Sequence, residues 1–222
     1  MKDKIVKLDT DSAKESRARY HHGDLRQVLM DEAALMIKEE GEKALSMRKL
    51  AARVGVSRTA PYHHFADKQT LLCAIAQEGF RRFNLIGESQ KFGDDGYLAL
   101  STQLNFVRNY VKFARENAQY YDLMFGGHLW KSQQLTDSLT REAHASFRRY
   151  VEKLREWREQ GRILSSVDPL RFAQVSWSTL HGMSRLLIDG IYMDDAAIDP
   201  ICENAAEMFW LQLTGNKPSN KV

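Results

Sequence analysis

Residues 46–72 read SMRKLAARVGVSRTAPYHHFADKQTLL, and the interpretation of the whole chain begins with them. Four apolar residues recur at i, i+3, i+4 and i+7, the spacing of one face of a short helix: Met47, Leu50, Ala51 and Val54. Ser46 precedes them as an N-cap, because its hydroxyl can accept from an N–H that the helix leaves unpaired. Gly55 follows them as the left-handed residue that ends the helix without a Cβ penalty.

A second helix is predicted from about Arg58 to Phe65, with Ser57 as its cap and a mixture of polar, small and aromatic side chains. Asp67 then caps a long helix over about 68–88. Two short helices joined by a three-residue turn form a helix-turn-helix, whose second helix enters the major groove of DNA. The stretch therefore predicts a DNA-binding domain.

Composition places the chain among ordinary globular proteins. It has 222 residues, of which 43% are hydrophobic and 27% charged. No run of about 18 apolar residues predicts a membrane span, and the first residues lack the apolar segment of a secretory signal. Cys73 and Cys202 have no metal or redox spacing and are interpreted as reduced, buried thiols. We therefore expect a cytoplasmic protein that does not enter a membrane.

The basic charge is confined to the N-terminal third. Residues 1–70 contain 14 Lys and Arg against 11 Asp and Glu, whereas the remaining residues contain 18 of each. Residues 43–66 contain no acid and five basic residues: Lys43, Arg48, Lys49, Arg53 and Arg58. A solvated charged face is the ordinary explanation of such a run. Its coincidence with the helix-turn-helix favours a surface that contacts phosphates.

The pattern divides the chain into a basic arm (1–22), a helix-turn-helix domain (23–70), a second helical domain (71–215) and a tail (216–222). The basic and aromatic end of the arm is interpreted as reaching DNA phosphates or a minor groove, or as an untethered tail, through Arg17, Arg19, His21 and His22. Asp24 opens the first helix of the second segment, and Gly41 ends it.

The fold class is all-α, with about nine helices: a three-helix N-terminal helix-turn-helix domain and a helical C-terminal domain. After the breaker cluster at 91–96 we predict five helices, over about 97–116, 118–125, 131–160, 168–190 and 195–213. The helix over 168–190 is apolar nearly all round and the last helix adds further apolar residues, which predicts that both pack against their copies in a homodimer through about 168–213. Burial within one chain is the alternative.

Two stretches resemble the N-terminal domain of the TetR family of bacterial transcriptional regulators: YHHGDLRQVLMDEAALMIKEEG at 20–41 and LSMRKLAARVGVSRTAPYHHFADKQTLLCAI at 45–75. Trp177, His181 and Gly182 also resemble the Trp-x-x-x-His-Gly signature of one class of C-terminal domains in that family. The resemblance implies a homodimer, usually a repressor, that binds a near-palindromic operator on double-stranded DNA. It also implies that a small-molecule effector bound in the C-terminal domain releases the operator. The operator, the effector and the regulated genes do not follow from it.

The resemblance and the position of the turn together assign the candidate DNA-contacting residues: Arg48, Ser57, Arg58, Thr59, Ala60, Tyr62, His63, His64 and Lys68. Thr59 and Ala60 are expected to read base edges or a thymine methyl, and Lys68 to contact a phosphate. Pro61 falls in the first turn of the second helix, where its missing N–H costs little. A dimer would place the two copies of Arg58–Phe65 about 34–36 Å apart, or a modest multiple of that.

The candidate effector residues form an aromatic and Met-rich set: Tyr121, Met124, Phe125, His128, Trp177 and His181. Apolar walls with one or two polar groups suggest a largely apolar ligand. Core packing, with a satisfied histidine at 181, is the alternative for each. The adjacent pairs His21–His22 and His63–His64 make poor chelates, so no metal and no cofactor are expected.

Two competing functions remain open at this point. An enzyme would use a histidine of the C-terminal domain near Asp122 or Glu142 for acid–base work, and three are available: His128, His144 and His181. No nucleophile and base are spaced to support it. A dimeric binding protein that has lost DNA binding is the other reading, and the intact basic run argues against it.

Overall fold

A computed structural model describes residues 25–88, 98–132, 134–192 and 195–215. Within those ranges the chain is all-α, as predicted, and no strand occurs. It divides into two compact units after Leu71. The predicted arm, the Asp24 cap, the breaker cluster at 91–96 and the tail lie outside the described residues.

The N-terminal unit consists of short helices and the start of a long one. Its elements are α1 (Leu25–Glu40), a 3-10 turn (Glu42–Ala44), α2 (Met47–Val54), a 3-10 helix (Ala60–His63) and the start of α3 (Lys68–Glu88). α1 packs against α2, and the side chains between them are fully buried: Leu29, Ala33, Leu50 and Ala51. Phe65 and Leu71 complete this core with 1% and 0% exposure. Apolar burial of this kind is what holds helices too short to be stable alone.

Both predicted ends of α2 are confirmed. The Ser46 hydroxyl accepts a hydrogen bond from the Lys49 N–H at 3.2 Å. Gly55 has φ of 76°, in the left-handed region, and the N–H of Val56 donates to the Ala51 carbonyl at 3.0 Å. These bonds satisfy terminal groups that the helix itself leaves unpaired.

The predicted second helix of the motif, Arg58 to Phe65, is wrong in type and length. Only Ala60–His63 is helical, and it is a 3-10 helix. Pro61 has no N–H to donate to the Ser57 carbonyl, so the i to i−4 ladder of an α-helix is interrupted there. In the observed segment Ala60 donates to Ser57 and Tyr62 donates to Thr59, both i to i−3 bonds of 3.0 Å. Ser57 is also not the side-chain cap, because Thr59 occupies the N-cap position without a capping bond.

The N-terminus of α3 forms as predicted. Asp67 Oδ1 accepts from the Thr70 N–H at 2.7 Å and from the Thr70 hydroxyl at 2.8 Å. These bonds hold the pKa of Asp67 below its usual value of 3.8. The helix then continues to Glu88, through the point at which the two units divide.

The C-terminal unit contains the rest of α3 and six further helices in the described ranges. They are α4 (Leu100–Glu116), α5 (Ala118–Phe125), α6 (Gly127–Lys131), α7 (Asp137–Glu159), α8 (Pro169–Ile188) and α9 (Ile198–Thr214), with a 3-10 turn at Asp195–Ala197. The helix predicted over 131–160 is present but begins only at Asp137, and the short α6 before it was not predicted. Thr136 caps the start of α7, because its hydroxyl accepts from the Leu139 N–H at 3.4 Å.

α4 is the centre of the C-terminal unit and packs against both α8 and α9. Arg108 on α4 donates to both carboxylate oxygens of Asp199 at 2.6 Å, and to Glu203 at 3.1 Å. The Trp210 indole N–H on α9 donates to the Leu98 carbonyl at 2.8 Å, next to the start of α4. A bidentate guanidinium–carboxylate pair fixes orientation as well as distance, so α4 and α9 are held in register.

α8 and α9 each have one covered and one uncovered face. Phe172, Ala173 and Leu180 of α8 are at most 2% exposed, so this face belongs to the core. Val175 on the other face of α8 is 60% exposed, and Met208 of α9 is 59% exposed. The alternative prediction, that one chain buries both helices on all sides, is therefore wrong.

Candidate DNA-binding surface and effector pocket

The turn and the 3-10 helix present an exposed polar surface that two buried side chains anchor. Pro61 and Phe65 are buried, whereas Arg58, His63 and His64 are exposed. Tyr62 is 54% exposed, so more than half of its surface is open to a partner. The arrangement holds the backbone in place while leaving several side chains free to contact a ligand.

The hydroxyls of Ser57 and Thr59 lie 3.1 Å apart and are both exposed. One donates to the other, so each keeps acceptor capacity toward an outside group and one keeps a hydrogen. Ala60 beside them is half-buried and offers a methyl group. These three residues lie where base-edge contacts were predicted, and that role stays a prediction.

The five basic residues at 43–66 do not form one open surface. Arg53 donates to Glu32 at 2.6 Å and to Glu39 at 2.8 Å, and Lys49 forms a hydrogen bond with Glu40. The bond to Glu39 raises the pKa of Arg53, and the bond from Lys49 lowers the pKa of Glu40. The acids that neutralise these two cations come from α1, outside the 43–66 run.

Arg48 and Arg58 differ from the neutralised pair. Both side chains are exposed, and neither has a hydrogen bond or ion pair with a described residue. Lys68 is half-buried, and its Nζ donates to the Glu42 carbonyl at 2.7 Å. An ammonium has three hydrogens, so Lys68 ties the 3-10 turn to α3 and keeps two donors.

A cavity of about 310 Å³ lies within the C-terminal unit. This volume is at the lower end of the ~300–1,000 Å³ that small-molecule pockets occupy. Five aromatic side chains form most of its wall: Phe83, Phe106, Tyr150, Trp157 and Trp177. The remaining lining residues are Asn84, Ile86, Gln103, Ser146, Arg149 and Lys153.

Of the six predicted effector residues, Trp177 lines this cavity and the other five do not. Tyr121 and Met124 are completely buried, Phe125 is half-buried and His128 is exposed. His181 lies one turn from Trp177 on α8, but the part of the helix that faces the cavity does not include it. A role for these five in effector binding stays a prediction.

Tyr110, Tyr121 and His181 form a polar chain in which the two tyrosines are buried and His181 is half-buried. The two tyrosine hydroxyls lie 3.2 Å apart, and the Tyr121 hydroxyl lies 2.8 Å from His181 Nδ1. Burial raises the pKa of Tyr121 to about 12 and lowers the pKa of His181. The neutral imidazole is thus favoured, and its hydrogen bond to Tyr121 matches the alternative in which His181 is a satisfied histidine.

Ten of the eleven cavity residues were missed from the sequence, among them Gln103, Phe106, Tyr150 and Trp157. Phe106, Tyr150 and Trp157 resembled ordinary members of the apolar faces of α4 and α7, where aromatic residues are common. Gln103 could have been identified from the sequence, since a polar residue at a core position of an amphipathic helix needs an explanation.

Two absences apply to the described ranges alone. In them, no group of three or more His, Cys, Asp or Glu side chains is placed to hold a metal ion. Also in them, no helix combines the length and apolarity needed to cross a bilayer. Cys73 and Cys202 are both buried and unbonded to each other.

These features define a helix-turn-helix protein with an appended all-helical unit that contains an aromatic cavity. Two family models match the chain: bacterial regulatory proteins of the tetR family over residues 29–75, and the tetracyclin repressor-like C-terminal domain over residues 104–209. The chain belongs to the TetR family, whose members are transcriptional regulators and not enzymes. The Trp-x-x-x-His-Gly subclass of its C-terminal domain stays a prediction.

Curated relatives match the N-terminal part. The chain is 39% identical over 57 residues to the HTH-type transcriptional repressor AcnR of Corynebacterium diphtheriae, which is 26% of this chain and 30% of that protein. It is 31% identical over 70 residues to the HTH-type transcriptional repressor Rv1474c of Mycobacterium tuberculosis, 32% of this chain and 37% of that protein. The matches thus span about a third of the length of these repressors.

Solved structures match nearly the whole chain. A protein of unknown function from Rhodococcus sp. RHA1 is 31% identical with a TM-score of 0.73, over 88% of this chain and 98% of that one. The fatty acid degradation regulator FadR from Bacillus halodurans is 17% identical with a TM-score of 0.65, over 83% and 93%. PfmR, a TetR family regulator from Thermus thermophilus, is 23% identical with a TM-score of 0.60, over 82% and 96%. The last two show the shared fold alone.

Proposed function

We propose that this protein is a sequence-specific DNA-binding transcriptional regulator, acting as a repressor that a small-molecule effector releases from its operator. The observation that carries the proposal is the exposed surface from Ser57 to His64, anchored on buried Pro61 and Phe65 within the segment that matches the tetR family. Arg48, Arg58 and Lys68 supply cations for phosphates on the same unit. A protein that binds chromosomal DNA acts in the bacterial cytoplasm, so that location is part of the proposal.

The uncovered face of α8 and α9 supports a homodimer. Val175, Thr179 and Met183 follow one another at i, i+4 and i+8 of α8, and so share one side of the helix. Thr179 and Met183 line a shallow recess between the two helices, together with Ile201 and Met208 of α9. A second copy of this surface would cover it in a four-helix interface. Two DNA-binding units in a dimer fit a near-palindromic operator.

The aromatic cavity supports effector binding in the C-terminal unit. Its walls are apolar and a few polar groups converge on it, which is the usual composition of a small-molecule site. Trp177 is the one predicted effector residue in its wall. The proposed site therefore lies among α3, α4, α7 and α8.

The first experiment is selection of binding sequences from a random pool of double-stranded DNA by the purified full chain. Lys68→Ala should weaken binding to the selected and to random sequences alike and reduce the salt slope by about 1 per contact. Tyr62→Ala should lower affinity for the selected sequence by about 5-fold to 150-fold and change the preferred bases, since one base contact contributes about 1–3 kcal/mol. Electrophoretic mobility shift at several salt concentrations measures both.

Lys112→Ala is the matched control, because it removes one exposed cation from the C-terminal unit. It should bind the selected DNA as the unchanged protein does. The proposal fails if no sequence is enriched, or if Lys68→Ala, Tyr62→Ala and Lys112→Ala bind equally well.

A further inference from the structure

The cavity in the C-terminal unit contains a buried amide without a partner. Gln103 of α4 lines the cavity and is only 4% exposed. Its Nε2 is buried and has no hydrogen-bond partner among the described residues. A buried donor that is left unpaired lowers stability, so a native protein that retains one often uses it toward a ligand.

Two hydroxyls of the cavity wall, those of Ser146 and Tyr150, already donate hydrogen bonds within the protein. Ser146 donates to the Glu142 carbonyl at 3.0 Å. Ser176 donates its single hydroxyl hydrogen to the Phe172 carbonyl at 2.8 Å, so the Tyr150 hydroxyl, 2.9 Å from Ser176, is the donor in that pair. Neither hydroxyl of the lining has a hydrogen left for a bound molecule, whereas the buried amide has two.

The charged residues at the cavity are balanced by acids. Arg149 donates to Glu142 at 3.2 Å, and Lys153 donates to Glu156 at 2.9 Å. Arg149 is 55% exposed, so solvent also screens its charge. These cations therefore do not require an anionic ligand.

The aromatic wall favours a flat molecule. The rings of Phe106 and Tyr150 stack with centroids 5.5 Å apart and planes 28° apart. Trp177 lies 5.4 Å from Phe83 and 6.1 Å from Tyr150 by ring centroids. Aromatic faces and edges presented in this way pack well against another planar ring system.

We propose that the cavity binds an uncharged aromatic compound with a carbonyl acceptor, and that Gln103 selects it by donating a hydrogen bond from Nε2. The binding claim stands on the cavity alone. It rests on the proposed function only where it identifies this class of compound as the effector.

The test uses two probes of nearly the same shape, 2-acetylnaphthalene and 2-ethylnaphthalene, which differ in the carbonyl group. Quenching of tryptophan fluorescence gives a Kd for each, because Trp157 and Trp177 lie in the wall. Gln103→Leu should raise the ratio of the ketone Kd to the hydrocarbon Kd by about twofold to tenfold, the contribution of one neutral hydrogen bond.

Gln119→Leu is the matched control. Gln119 also has a partly unpaired buried amide, at Oε1, but lies on α5 outside the cavity wall. It should leave the ratio unchanged, and thermal melts of all variants should show that they fold. An unchanged ratio in folded Gln103→Leu, or no binding of either probe, overturns the inference.

The DNA-binding assay separates this inference from the proposed function. Ketone-selective binding that never releases the selected DNA counts against effector control and leaves the role of Gln103 supported. Release of DNA by other compounds, with no ketone selectivity at Gln103, overturns this inference alone.

Discussion

Arg53 of α2 forms ion pairs with two carboxylates of α1, whereas Arg48, five residues earlier on the same helix, is exposed to solvent. The two arginines are alike in composition and differ in what surrounds them. An arginine that already has carboxylate partners must lose them before it binds a phosphate, which makes it a weaker DNA contact. The acidic end of α1 thus divides the basic run into structural and available charges.

At this scale we predict opposite effects of Arg53→Ala and Arg48→Ala. Arg53→Ala should lower the melting temperature by a few degrees, since exposed ion pairs contribute modestly. It should leave the salt dependence of DNA binding unchanged. Arg48→Ala should leave the melting temperature unchanged and reduce the salt slope by about 1. Differential scanning fluorimetry and mobility shift measure the two quantities, and a reversal of the pattern would contradict this division.

At the scale of elements, capping decides where the DNA-binding helices begin and end. The bonds to Ser46 and Asp67 set the first residues of α2 and α3, and Gly55 sets the last residue of α2. Pro61 interrupts helical bonding instead, because it has no N–H to donate to the Ser57 carbonyl, and the segment around it is a 3-10 helix in place of the expected α-helix. The surface proposed to meet DNA is therefore short and is held by its buried anchors.

Asp67 gives this unit a predictable pH dependence. Its folded pKa lies below the ordinary 3.8, so its stabilisation is present at neutral pH and is lost as the pH falls from about 3.8 through the lower folded pKa. Asp67→Asn keeps a capping oxygen and removes the charge, so it should lower stability by about 0.3–1 kcal/mol at about pH 7 and by less at about pH 3. Urea unfolding at the two pH values measures the difference.

Asp67→Ala is the control, because it removes the capping oxygen as well as the charge. It should cost about 1 kcal/mol at about pH 7. A loss in Asp67→Asn that is equally large at both pH values would show that the charge does not act as described.

At the scale of the whole molecule, the uncovered face of α8 and α9 is the feature that a single chain leaves unexplained. Val175 and Met208 are each more than half exposed, although they are apolar. Met208 lies beside Met183 and Ile201 in the recess between the two helices. An exposed apolar patch of this kind is typical of an interface between protein chains. The homodimer proposed above accounts for them.

Met208→Lys should therefore weaken self-association by about 100-fold or more, since an ammonium buried without a partner costs several kcal/mol. Sedimentation analysis over a range of concentrations measures this. Leu35→Lys, which changes a 40% exposed leucine of the N-terminal unit, should remain dimeric. A monomeric unchanged protein, or a Met208→Lys variant that associates normally, would contradict the prediction.

Much of the fold followed from the sequence because its signals are local. The signals are the caps at Ser46 and Asp67, the left-handed Gly55 and the helical spacing around them. Each of them acts on groups only a few residues away in the chain. The start of α8 at Asp168–Pro169 was predicted for the same reason, and Asp168 accepts from the Leu170 N–H at 2.9 Å. The family resemblance likewise rested on a nearly continuous stretch, which the tetR family model matches over 29–75.

The tertiary structure decided what depends on residues far apart in the chain. Glu39 neutralises Arg53 from 14 positions away, and Tyr121 satisfies His181 from 60 positions away. The aromatic cavity gathers side chains of α3, α4, α7 and α8, and leaves the amide of Gln103 facing it. Periodicity in a sequence gives the buried face of each helix but not the partner that this face meets. The local signals were therefore enough to predict a DNA-binding surface. They were not enough to predict the cavity, whose wall includes only Trp177 of the six expected effector residues.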